Sequence, residues 1–76
     1  MKNLPALRAR KVIKALKKAG FIEDRQRGSH LILIHPTRKR RTVIPVHAGK
    51  TIKKPLLQSI IENDADMTIE EFLKLI

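Results

Sequence analysis

The longest uninterrupted apolar run in this chain is four residues, Leu31-Ile32-Leu33-Ile34, fenced by Gly28-Ser29 before it and Pro36 after it. A run that short, bounded by turn-forming residues, predicts a strand rather than a helix. Successive strand residues alternate faces, so His30, Ile32 and Ile34 point one way and Leu31, Leu33 and His35 the other. Both faces are apolar. Such a strand belongs in the centre of a sheet, with helices over one face and the other left for a partner. The same shortness falls far below the roughly 20 apolar residues of a bilayer-spanning helix.

The flanking segments supply the other elements. From Pro5 to Lys18, Ala9, Val12, Ile13 and Leu16 recur at i, i+3, i+4 and i+7 among basic residues, which predicts an amphipathic helix with a basic back. Gly20 suits the left-handed residue that closes it. Phe21 to Gln26 forms a hairpin with His30 to His35 across Gly28-Ser29, and the turn at residues 36–39 leads to a third strand alternating Thr42, Ile44 and Val46 with Arg41, Val43 and Pro45. Pro45 cannot donate a ladder hydrogen bond, which puts that strand at an edge. After a polar turn at Ala48 to Thr51, Pro55 opens a helix to about Asn63, with Leu56, Leu57, Ile60 and Ile61 buried. Thr68 and Glu71 form a capping box for a last helix carrying Ile69, Phe72, Leu73 and Ile76. The expected architecture is a single α+β domain over residues 1–76, a helix followed by a three-stranded antiparallel sheet and one or two C-terminal helices packed on one sheet face.

Charge narrows the function. Residues 1–54 hold 16 of the 17 Lys and Arg against only Glu23 and Asp24, a balance of +14, whereas residues 55–76 hold one lysine against five carboxylates, a balance of −4. A surface of this sign concentrates polyanions, and nucleic acid is the natural partner. The absence of cysteine removes disulfides and thiolate metal sites, and no apolar leader precedes the first helix, so the expected location is cytoplasmic, with no membrane association. No His pair stands at metal-ligand spacing and the carboxylates cluster away from the basic part, so no metal or other cofactor is expected.

Acid-base chemistry then falls to histidine. Gly28 permits a tight turn whose backbone N–H groups, with the Ser29 hydroxyl, can meet a phosphate, and His30 follows at the first position of the central strand. RNA cleavage by its own 2′-OH needs a base, a proton donor for the departing oxygen, and cations on the phosphorane charge. Lys11, Lys14, Lys18, Arg25 and Arg27 are the candidate phosphate-binding cations. His47, just after the third strand, is placed by antiparallel pairing near His30, whereas His35 lies at the opposite end and reads as an exposed turn residue. From spacing alone the simpler reading of His30 is a strand-end histidine making one hydrogen bond.

Several segments together resemble a known family. Lys11 to Phe21, then Gly28-Ser29-His30, then Val43-Ile44-Pro45-Val46-His47, then Leu57-Gln58-Ser59-Ile60-Ile61 and Glu71-Phe72 are similar, in order and over nearly the whole chain, to the HicA toxins of bacteria and archaea. The family's usual Gly-Thr before the second helix is Pro55-Leu56 here. The resemblance implies a double-stranded-RNA-binding-domain-like (dsRBD-like) fold and the toxin half of a type II toxin–antitoxin system. It also implies metal-independent endoribonuclease activity on messenger RNA (an mRNA interferase), His30 as the catalytic residue, and neutralisation by a HicB-type antitoxin. The competing expectation is a non-catalytic RNA-binding module that grips duplex backbone; a small DNA-binding regulator ranks behind both, because the strand-rich middle leaves no helix-turn-helix pair.

Overall fold

The computed structural model describes residues 4–76. Strand β1 (Leu7–Arg8) runs directly into helix α1 (Ala9–Lys18), and strands β2 (Ile22–Arg27), β3 (His30–His35) and β4 (Arg40–Pro45) follow. A short β5 (Thr51–Ile52), helix α2 (Lys54–Ser59) continued by a π-helical turn (Ile60–Asp64), and helix α3 (Ile69–Leu73) complete the chain. The main sheet has the order β2-β3-β4, all antiparallel, and β1 pairs with β5 in a second, two-stranded ladder. This is the expected α+β, dsRBD-like order, with the apolar run Leu31 to Ile34 on the central strand.

The helices cover one sheet face. Leu31 and Leu33 on β3 and Ile44 on β4 share a core with Val12 and Leu16 of α1, Leu57, Ile60 and Ile61 of the second helix, and Phe72 of α3. Loss of one such side chain to alanine costs about 2–5 kcal/mol. Thr42, buried on the same side opposite Leu33, donates its hydroxyl to Asp64 Oδ2 at 2.8 Å, which satisfies the one polar group that the sheet carries into this layer beside His35. No described helix is long and apolar enough to cross a membrane.

Four expectations need correction. Helix α1 starts at Ala9 rather than Pro5, because Leu7 and Arg8 are extended and pair with Ile52 and Thr51. The last helix ends at Leu73, and Ile76 is exposed. Leu56 is exposed too, since only Leu57 of α2 turns into the core and Leu56 lies one helical step, roughly 100°, away. His35 is the largest departure. It is buried, stacks edge-on against Phe21 with ring centroids 5.2 Å apart, and is hydrogen-bonded on both ring nitrogens.

Candidate functional site

Residues directly opposite one another across an antiparallel ladder share a face. Arg27, His30 and Pro45 therefore form one row, Arg25, Ile32 and Val43 the next, and Ile22, Ile34 and Arg41 the third. These rows make the sheet face turned away from the helices. None of the nine belongs to the cluster that the helices bury; Ile32 at the centre of the face is itself buried, and Ile22 is half exposed. His30 is exposed at the end of the central strand, and among the described residues no side-chain hydrogen bond or ion pair engages its ring.

The turn before it follows from Gly28. With φ +60 at the first of two central residues and a negative φ at Ser29, the turn has the twist that suits a two-residue hairpin. Its apex is open, because a Cβ at Gly28 would meet nothing within 4 Å. The Ser29 carbonyl accepts the Val46 N–H at 2.6 Å, and this extra bond carries β4 past its pairing with His30 and delivers His47 to the same end of the sheet. The expected proximity of His47 to the His30 end, and of His35 to the other, follows the register.

A groove opens where β4 ends. Pro45, His47, Lys50, Thr51, Ile52, Lys53 and Leu56 line about 310 Å³, and Pro45 is both a wall of this groove and the ladder partner of His30. Lys50, within the polar turn at residues 48–51, and Lys53, just beyond it, are not singled out by the sequence motifs. The signal was the density of cations in Lys50, Lys53 and Lys54 on either side of a short strand.

Helix α1 spans the sheet from end to end. Its start is tied to the His30 end by the pairing of Arg8 with Thr51, and its last turn is tied to the other end by His35. Lys11, Lys14 and Lys18, at i, i+3 and i+7, form a row on its solvent side, opposite the buried Val12 and Leu16. Arg25 and Arg27 lie on the outer sheet face. The five expected phosphate-binding cations thus divide between two surfaces, and only Arg27 shares a row with His30.

The two ends of the sheet also differ in charge. Asp66 takes both Arg38 at 3.5 Å and Arg40 at 3.0 Å, Lys17 pairs with Glu23, and Asp24 lies 3.7 Å from Arg25. These ion pairs stand from the middle of the sheet to its His35 end. Arg8, Arg27, Lys50 and Lys53, around His30 and the groove, enter none among the described residues. Helix α1 even opens with Arg10 and Lys11 in its first turn and no acidic residue, against its own dipole, and Arg8 at its N-cap makes no side-chain capping bond. Among the described residues no three His or acidic side chains gather where a metal ion could be held.

No curated protein matches the chain significantly. The family model described as "HicA toxin of bacterial toxin-antitoxin" matches residues 9–66, from the first residue of α1 to the left-handed Asp66 beyond the π-helical turn, and so takes in His30, the open turn before it and the groove beside it. The chain belongs to the HicA toxin family, the toxin side of bacterial toxin–antitoxin systems.

Proposed function

We propose that this toxin is a metal-independent endoribonuclease that cleaves messenger RNA, with His30 as the general base. The observation that carries the reading is the setting of His30: exposed on a rigid central strand, on the face no helix covers, beside an open glycine turn and Arg27. In the reaction His30 takes the proton of a 2′-OH, that oxygen bonds to the adjacent phosphorus, and the P–O5′ bond breaks. The 5′ oxygen leaves with a proton taken from solvent water, and a 2′,3′-cyclic phosphate remains. Gly28 and Ser29 support the step by offering donors to the phosphate, and Arg27 offers charge to the phosphorane. His47 supports the site from the end of β4, and the cations of the groove and of α1, Lys11, Lys14 and Lys18 among them, attract the RNA backbone without sequence preference. The cognate antitoxin, of HicB type, neutralises the toxin by covering the outer sheet face, where an acidic surface with an apolar centre complements Arg25, Arg27 and Arg41 around Ile22 and Ile34.

The test compares native protein with His30→Ala on RNA in the presence of a chelator. Base catalysis contributes roughly 10²–10⁴ in rate, so the variant should lose cleavage while keeping RNA affinity and fold. Products should carry a 2′,3′-cyclic or 3′-phosphate, and a substrate with 2′-deoxyribose at the scissile position should survive. Cleavage by His30→Ala at the native rate, or of the deoxy substrate, rejects the assignment. RNA binding without cleavage by the native protein leaves a non-catalytic RNA-binding module.

A further inference from the structure

Proteins that hold single-stranded RNA without reading its sequence usually stack its bases on exposed aromatic rings. This chain has no Trp or Tyr and only two Phe, and Phe21 and Phe72 are both buried in the core. His35 is buried as well. The exposed aromatic rings are therefore the imidazoles of His30 and His47, and they stand at the same end of the sheet. His47 is one wall of a groove lined also by the apolar Pro45, Ile52 and Leu56 and by the cationic side chains Lys50 and Lys53. Leu56 is 45% exposed there. At about 310 Å³ the groove stands at the small end of the roughly 300–1,000 Å³ range of small-molecule sites, enough for one nucleotide and too little for a folded segment.

We propose that this groove is the subsite for the nucleotide adjoining the scissile phosphate, with its base stacked on the His47 ring over Leu56 and Ile52 and its phosphate held by Lys50 and Lys53. The inference rests on the RNA-cleaving reading for its place in the reaction. Pro45 joins the two sites: it is the ladder partner of His30 and a wall of the groove, so a strand of RNA crossing from one imidazole to the other passes over it. His47 touches substrate as a stacking platform, not as a second proton-transfer group. That distinction is chemical and can be read directly, since a phenyl ring stacks as well as an imidazole but exchanges no proton.

Two measurements test it. In steady-state cleavage, His47→Ala should raise KM by roughly ten- to a hundredfold, the scale of one lost base stack, with kcat little changed, and His47→Phe should restore KM to near native. The pH profile of kcat should be the same in native protein and in His47→Phe. A large loss of kcat relative to the native protein in both His47→Ala and His47→Phe would make His47 a proton-transfer residue and overturn the proposal. Separately, His30→Ala protein is titrated with adenosine 3′-monophosphate and followed by amide NMR. Saturable shifts at Thr51, Ile52, Lys53 and Leu56, abolished by Leu56→Asp, support the subsite whether or not the chain cleaves RNA. Silence at those amides while native protein cleaves RNA overturns the subsite and leaves His30 untouched. Perturbation by antitoxin alone, with none by the nucleotide, also overturns it.

Discussion

His35 Nε2 donates to the carbonyl oxygen of Ala19 at 3.1 Å, so a residue at the end of the central strand closes the last turn of the helix that precedes the sheet. A carbonyl only accepts, which puts the proton on Nε2 and leaves Nδ1 to accept the Arg38 N–H at 3.2 Å. One neutral ring thereby joins α1, β3 and the turn at residues 36–39. His35→Ala should lose about 2–4 kcal/mol in urea denaturation, through two orphaned backbone groups and the gap left against Phe21. His30→Ala, which disturbs no such contact, should unfold within about 0.5 kcal/mol of the native chain. Equal losses in the two variants would contradict this division of labour between the histidines.

Gly20 is required by the same junction. Its φ is +108, and a Cβ there would come within 2.6 Å of His35 Nε2. Gly28 also has a positive φ but open space around it. Thermal melts should therefore rank Gly20→Ala well below Gly28→Ala: the second should cost about 1–2 kcal/mol for a left-handed backbone, and the first that amount plus the displacement of a buried ring.

Arg8 stands where helix stability alone favours an acidic or hydroxyl side chain. It occupies the N-cap of α1 without capping it, where an acidic side chain would satisfy orphan N–H groups and meet the helix dipole. Arg8→Asp should raise stability by about 0.5–1.5 kcal/mol and weaken RNA binding. A variant that gains stability and keeps full affinity would remove Arg8 from the RNA-binding surface.

Affinity for RNA should fall steeply with salt, and the charge asymmetry of the sheet indicates which cations set the slope. Lys53→Gln should reduce the slope of log affinity against log salt by about 0.7, the value for one phosphate contact on a single strand. Arg40→Gln, already paired with Asp66, should leave the slope unchanged. The comparison needs titrations at three or more salt concentrations.

Acid should loosen the C-terminal helix. The Thr68 backbone N–H donates to the Glu71 carboxylate at 2.8 Å, and together with the Thr68 side chain this holds the Glu71 carboxyl below its ordinary range. A carboxyl lowered in the folded state contributes stability above its unfolded pKa and loses that contribution as pH falls through its folded pKa. Melts taken between neutral pH and pH 3 should fall less steeply for Glu71→Gln than for the native chain.

The hairpin, the central strand and the capping box were legible because each has a local cause: alternation for the strands, glycine and serine for the turn, and the Thr68 and Glu71 spacing for the cap. His35 was not, since its burial is decided by a helix end 16 residues earlier in the chain. The β1 and β5 ladder has two residues on each side, too few for a period to register, and without it neither the start of α1 nor the groove beside His47 can be placed. The basic row of α1 was read correctly as exposed. Its separation from Arg25 and Arg27 is a matter of which sheet face the helix takes, and periodicity within one segment does not specify that.

The gathering of the ion pairs toward one end of the sheet leaves a molecule that is cationic overall and most strongly so at the other. In a polyanion's field such a body feels a torque as well as an attraction, and it turns while still separated by solvent. Under the proposed function, encounter with RNA is biased toward collisions that present His30 and His47 first, so a larger share of them is productive. On that reading the carboxylates at the His35 end act on the rate of association, through the direction from which the protein arrives, although they stand at the opposite end of the sheet from the two imidazoles.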